Sequence, residues 1–152
     1  RQRQMCIRDR LYEIGHNAEK GNKAIYQYIK SNPKNISFQE FNKIVNSTFK
    51  KINECGNGID ICEKNFLRLV YGYMNIELSV SLEEAESIIW NGVSECDIMP
   101  NANKILDYLN KNDIRSGVIS NMCWSGKSLK DRLNRLLPNN KLELRFHIFQ
   151  GI

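Results

Sequence analysis

The sequence predicts an α/β fold dominated by helix, with an all-helical segment followed by the opening of a parallel-sheet layer. Three observations lead there. Between Glu19 and Val93 apolar residues recur at three- and four-residue spacing, the period of helices with one buried face. After Cys96 the pattern becomes helix, strand, helix, strand with short joints, the order that builds a parallel layer. The chain has 152 residues, 41% of them hydrophobic and 26% charged, which is enough to bury a core and too apolar for a disordered chain.

The elements follow in order. Glu19 to Lys30 places Ala24, Ile25, Tyr28 and Ile29 on one helical face, and Ser31-Asn32-Pro33 ends the run. Ser37-Phe-Gln-Glu40 is a capping box, opening a helix whose Phe38, Phe41, Val45, Phe49 and Ile52 form its stripe. Gly56-Asn-Gly58 breaks that helix. A third is expected from Cys62 to Met74, with Phe66, Leu67, Val70 and Tyr71 inward. Ser81-Leu-Glu-Glu84 is a second capping box, starting a helix through Ile88, Ile89 and Val93. Beyond Cys96, Pro100 and Asn101 introduce a helix carrying Ile105, Leu106 and Leu109, which Lys111-Asn-Asp113 terminates. Arg115 to Ser120 reads as a buried strand. Ser125 can cap a helix with Leu129, Leu133, Leu136 and Leu137 on its face, and Leu142 to Phe149 is a second strand. The apolar stripes are core positions of a small bundle rather than a cofactor site.

The formal charge of +5 invites a nucleic-acid or membrane-surface partner, but its distribution argues otherwise. Arg1, Arg3, Arg8 and Arg10 fall in the first ten residues, whereas no Lys and no Asn occurs there. Arg1 to Arg10 resembles a translated transposase-type sequencing adapter and is set aside as non-native. Without those four Arg and Asp9 the charge falls to +2, which removes the electrostatic case for nucleic acid. No apolar run reaches the roughly 18 residues that a bilayer span requires. Cys55, Cys62, Cys96 and Cys123 lack the paired spacing of a zinc or redox site, so free thiols and a reducing cytoplasm are expected. His16 and His147 carry no ligand or triad spacing, and the sequons at Asn35 and Asn46 are chance matches in an Asn-rich chain.

Chemistry concentrates in Gly117-Val-Ile-Ser-Asn-Met-Cys-Trp-Ser-Gly-Lys-Ser128, which runs from a strand's carboxyl end to a helix N-terminus. Ligands of α/β sheets bind outside such strand ends, and helix N-termini favour phosphate. Gly126-Lys127-Ser128 fits the second half of a nucleotide triphosphatase phosphate loop, but Asn121 occupies the place of its first Gly.

The larger context supplies a second reading. Pro100-Asn-Ala-x-x-Ile105-Leu106-x-x-Leu109, then Ile114-x-x-Gly-Val-Ile-Ser120-Asn121, resembles the second motif region of the haloacid dehalogenase (HAD)-like hydrolase superfamily. There a helix beginning near Pro-Gly leads into a strand ending in Ser or Thr, often followed by Asn. Asn101 stands where that Gly is usual, and Asp113 near where another Gly often ends the helix. Many members insert a helical cap after their first motif, D-x-D-G-T-[LV], and Leu11 to about Glu95 looks like such a cap. The resemblance thus implies a helical cap over residues 11–95, inserted into a partial Rossmann-like, HAD-type parallel-sheet core over residues 96–152. One of the family's four catalytic motifs is recognisable.

In that family an aspartate attacks phosphorus, a second serves as general acid and base, and magnesium bridges carboxylate and phosphate. The resemblance implies that Ser120 is the catalytic and substrate-binding hydroxyl of the second motif and that the Asn121 amide adds a substrate-binding donor. The expected parent is a magnesium-dependent phosphatase acting through an aspartyl-phosphate on a small-molecule phosphate ester, with neither nucleic acid nor membrane as partner. No Asp-x-Asp precedes the cap in this chain, so its magnesium ligands are expected to lie outside it. The chain is read as an inactive fragment. Two alternatives stand beside this reading. One is a nucleotide triphosphatase with a degenerate phosphate loop at Asn121–Ser128. The other is a non-enzymatic helical interaction module.

Overall fold

A computed structural model of the chain describes residues 12–14, 17–55, 61–118, 123–138 and 143–144. Arg1 to Arg10, His16 and His147 lie outside these residues. The fold is mostly helical, with six helices and three separate two-strand pairs among the described residues. The chain divides into two compact units. Among the described residues, one comprises 17–55, 61–95 and Cys123–Ser125, and the other comprises 12–14, 96–118, 126–138 and 143–144.

The helical unit contains α1 (Ala18–Tyr26), α2 (Phe38–Cys55), α3 (Glu63–Met74) and α4 (Leu82–Val93). Asn17 caps α1 by accepting from the Lys20 amide at 2.9 Å, and its own amide donates to the Val93 carbonyl. That bond ties the start of α1 to the end of α4. The capping box at Ser81 forms in both directions with Glu84, fixing where α4 begins. At Ser37 the Glu40 amide donates to the hydroxyl at 3.3 Å. α3 ends on Asn75 in the left-handed region, φ 57°. The core gathers Ile25, Phe41, Val45, Phe66, Leu67, Val70, Tyr71, Met74, Ala85, Ile89 and Val93.

α1 packs most extensively on α4, and the crossing is made by two glycines. A Cβ on Gly92 would lie 2.7 Å from the Gly21 Cα, so the two backbones touch with no side chain between them. A short antiparallel pair, β2 (Ile29–Ser31) with β3 (Glu77–Leu78), completes the unit. This corrects the helix expected from Glu19 to Lys30. α1 stops at Tyr26, Ile29 enters the strand and Tyr28 is exposed, because pairing with a distant segment overrides the local helical period.

The other unit holds α5 (Ala102–Lys111), α6 (Gly126–Leu136) and two strand pairs. β1 (Tyr12–Ile14) pairs antiparallel with β4 (Cys96–Ile98), and β5 (Gly117–Val118) pairs parallel with β6 (Glu143–Leu144). Its buried apolar residues are Ala102, Leu106, Val118, Leu129, Leu133 and Leu137. The expected Rossmann-like parallel sheet is not seen. Among the described residues the parallel element is one pair of two-residue strands, in register Gly117 with Glu143. Two further stripe positions face outward: Ile105 on α5 is 57% exposed, and Phe49 on α2 is exposed while its ring edge meets Phe66.

Candidate functional site

Ser120 and Asn121, the residues assigned to substrate by the resemblance, lie outside the described residues. The structure does describe what flanks them. Asn101, the residue before α5, has φ 69°, and Asp113, two residues past its end, has φ 50°. Both are in the left-handed region, where a side chain's Cβ crowds the backbone and Gly is the default. Asn101 stands where the pattern of the resembled family usually has Gly, and Asp113 near where another Gly often ends the helix. Asn and Asp are the L-residues that enter this region most readily, because their short polar side chains hydrogen-bond locally.

Gly126-Lys127-Ser128, the triplet of the phosphate-loop alternative, forms the first turn of α6. Lys127 Nζ bonds Asp131 Oδ2 at 2.7 Å one turn on, and Ser128 is buried. That ion pair is a solvent-exposed contact one turn apart, of the kind worth only a few tenths of a kcal/mol. In the same helix the buried Arg132 donates through Nε and Nη2 to the Cys96 sulfur at 3.2 and 3.0 Å. Cys55, Cys62, Cys96 and Cys123 form no disulfide among the described residues. No group of three or more His, Cys, Asp or Glu among the described residues could hold a metal, so they offer no fit for the magnesium of the resemblance. None of the described helices is long and apolar enough to cross a membrane.

A buried polar arrangement lies in the helical unit, at residues the sequence does not single out. Glu86 on α4 is 0% exposed and Glu63, the first residue of α3, is 6% exposed. Ser125 donates to Glu86 twice, from its amide to Oε1 at 2.6 Å and from its hydroxyl to Oε2. The Glu63 amide donates to the Cys123 carbonyl at 3.0 Å. Between these two points the Trp124 ring lies on Trp90, with centroids 5.2 Å apart and planes inclined by 3°. Burial and the Glu86 charge push the Glu63 carboxyl up to about 7. Burial and the Glu63 charge together raise the Tyr71 phenol above its usual range. Nearby on the surface, Lys64 hydrogen-bonds Glu83 and holds that carboxyl below its ordinary value.

What this arrangement can do is change its charge by one unit near neutral pH. The signal for it was available in the spacing. Glu86 falls in the stripe Leu82, Ala85, Ile89, Trp90, Val93, and Glu63 in the stripe Phe66, Leu67, Val70, Met74, so each is a carboxylate at a core position. Comparison with known protein families, with curated proteins and with solved structures finds no match for the chain.

Proposed function

We propose that residues 11–152 comprise the helical cap and the second-motif region of a HAD-like hydrolase, a phosphatase of small phosphate esters in which Ser120 and the Asn121 amide hold the transferring phosphoryl group. The observation that carries this reading is the pair of left-handed residues bracketing α5. The family pattern usually has Gly at the position of Asn101 and often another near Asp113, and both residues adopt backbone that Gly would supply. These two departures from the motif therefore keep a left-handed backbone beside the helix. The chain order of helical segment, Asn101, α5, Asp113 and β5 supports the same reading.

No group of three or more candidate metal ligands occurs among the described residues. The contribution assigned to this chain is electrostatic. A hydroxyl and an amide aimed at the phosphoryl oxygens stabilise charge that grows in the transition state, a donor of this kind being worth about 10²–10³ in rate. Sequencing the gene upstream of the Leu11 codon tests the proposal. Asp-x-Asp-Gly-Thr in frame directly before Leu11 is expected, and a frame without it overturns the assignment. The 152-residue chain itself is expected to release no phosphate from small phosphate esters in the presence of magnesium.

A further inference from the structure

One amide interrupts the apolar seam between α1 and α2. The two helices run antiparallel: Tyr26 at the end of α1 meets the rings of Phe38 and Phe41, and Asn22, one turn earlier, meets Asn42 and Asn46. Asn22 is 5% exposed, on a helix whose Ile25 is fully buried. Its Nδ2 donates to Asn42 Oδ1 at 2.7 Å and to Asn46 Oδ1 at 3.4 Å, and Asn46 Nδ2 donates to the same Asn42 oxygen at 3.2 Å. One NH2 group thus serves two acceptors and one carbonyl oxygen takes two donors, which is the full capacity of each. We propose that Asn22 is a register pin: at some cost in stability relative to an apolar side chain, its amide holds α1 at one height along α2.

Apolar contact has no preferred direction, so Ile25, Phe41 and Val45 by themselves would accept α1 at more than one height. A slide of one turn, about 5.4 Å, moves Asn22 into the place of Tyr26 beside the two rings, or as far the other way towards Phe49. Either way the amide gives up at least one acceptor. Leaving a buried amide short of partners lowers the population of the slipped arrangement about tenfold or more. The Tyr26 hydroxyl also donates to the Ile36 carbonyl, and the Asn17 amide to the Val93 carbonyl, but these bonds lie at the helix ends and neither reaches α2. The height matters because Gly21, the preceding residue, must meet α4. A Cβ at position 21 would run into Val93 Cγ2 and lie 2.9 Å from the Ile89 carbonyl oxygen. The residues three and four places from Gly21 are Asn17, Ala18, Ala24 and Ile25, and each carries a Cβ. Asn22 against α2 therefore keeps Gly21 where α4 needs it. The proposal does not depend on the hydrolase reading.

Asn22→Leu in the whole chain, branched at the same atom, removes the amide. Asn42 is half-buried and Asn46 exposed, so both can bond water, and the urea midpoint is expected to hold or rise. The amide resonances of residues 18–26 are expected to double or broaden, with a second species at least about tenfold more populated than in the parent chain. That species should lack the nuclear Overhauser contacts of the Tyr26 ring with Phe38 and Phe41 that the parent shows. Ile25→Val, a methyl deleted from the same helix, is the control, expected to lower the midpoint and keep one set of resonances. A single sharp set in Asn22→Leu overturns the proposal whatever its midpoint. So does doubling in Ile25→Val, or a second species that keeps the Tyr26 ring contacts. Should Asn22→Leu fail to fold, Asn22→Ala, which adds no bulk, is read by the same criteria.

Discussion

Gly92→Ala probes the contact on which the helical unit is organised. An added Cβ would meet the Gly21 Cα at 2.7 Å, the Gly21 amide nitrogen at 3.1 Å and the Lys20 carbonyl oxygen at 3.1 Å. All three are backbone atoms, so no side chain can swing aside. Restoring ordinary contact at 3.4 Å requires α1 and α4 to part by ~0.7 Å at the crossing. A gap of that size forfeits roughly a quarter to a half of the dispersion well for each atom pair it opens. Around it lie Ile25 on one helix and Ile89 and Val93 on the other, all buried. Overpacking of this kind costs about 1–3 kcal/mol, and alanine's better helix propensity returns somewhat under ~1 kcal/mol. The expected net loss is about 1 kcal/mol. Gly72→Ala on α3 is the matched control, since nothing lies within 4 Å of its added Cβ. There only the propensity gain operates, about 0.5–1 kcal/mol of stabilisation. Urea titrations followed by far-UV circular dichroism measure both. If Gly92→Ala is as stable as the parent chain, the close crossing of α1 and α4 is wrong.

Two other perturbations bear on the turns and on the buried carboxyl. Asn101→Ala and Asp113→Ala should each lose about 1 kcal/mol, while Asn101→Gly and Asp113→Gly should stay within ~0.5 kcal/mol of the parent. Alanine variants of undiminished stability in urea would show that neither residue is left-handed. Glu63 has its folded-state value raised from the ordinary 4.5 to about 7, so between those limits the folded chain binds a proton that the unfolded chain has released. Its contribution is complete below pH 4.5, declines as pH rises towards 7 and is gone above, a fall of about 3 kcal/mol at 1.36 kcal/mol per unit. Glu63→Gln should flatten stability between pH 4.5 and pH 7, and an unchanged slope there would refute the assignment.

Where local chemistry decides, the sequence was readable. The Ser81-to-Glu84 capping box and the Phe66, Leu67, Val70 stripe located α4 and α3, because caps and helical stripes are properties of a few neighbouring residues. Strand pairing was not readable in the same way. Ile29–Ser31 leaves the helical pattern only because Glu77–Leu78 is there to pair with it, and the Tyr12–Ile14 pairing with Cys96–Ile98 spans three residues, too few to show alternation. Ile105 reads as core by periodicity, yet it is 57% exposed because α5 buries little beyond Ala102 and Leu106. For the site the limits differ. Glu63 and Glu86 stood in apolar stripes, but a carboxylate is assumed to face solvent unless partners are known, and Ser125 lies 39 residues from Glu86. Ser120 and Asn121 rest on the motif alone.

The distance of 39 residues between Glu86 and Ser125 also bears on the order of assembly during vectorial synthesis. All four helices of the unit leave the ribosome before Trp124 does, so for a time the nascent chain carries α3 and α4 without their last three residues. Until then Glu86 lacks the two donations from Ser125, and Trp90 lacks the ring of Trp124. Closure comes from the C-terminal side and carries the entropy of a long loop, which makes it a late event in folding.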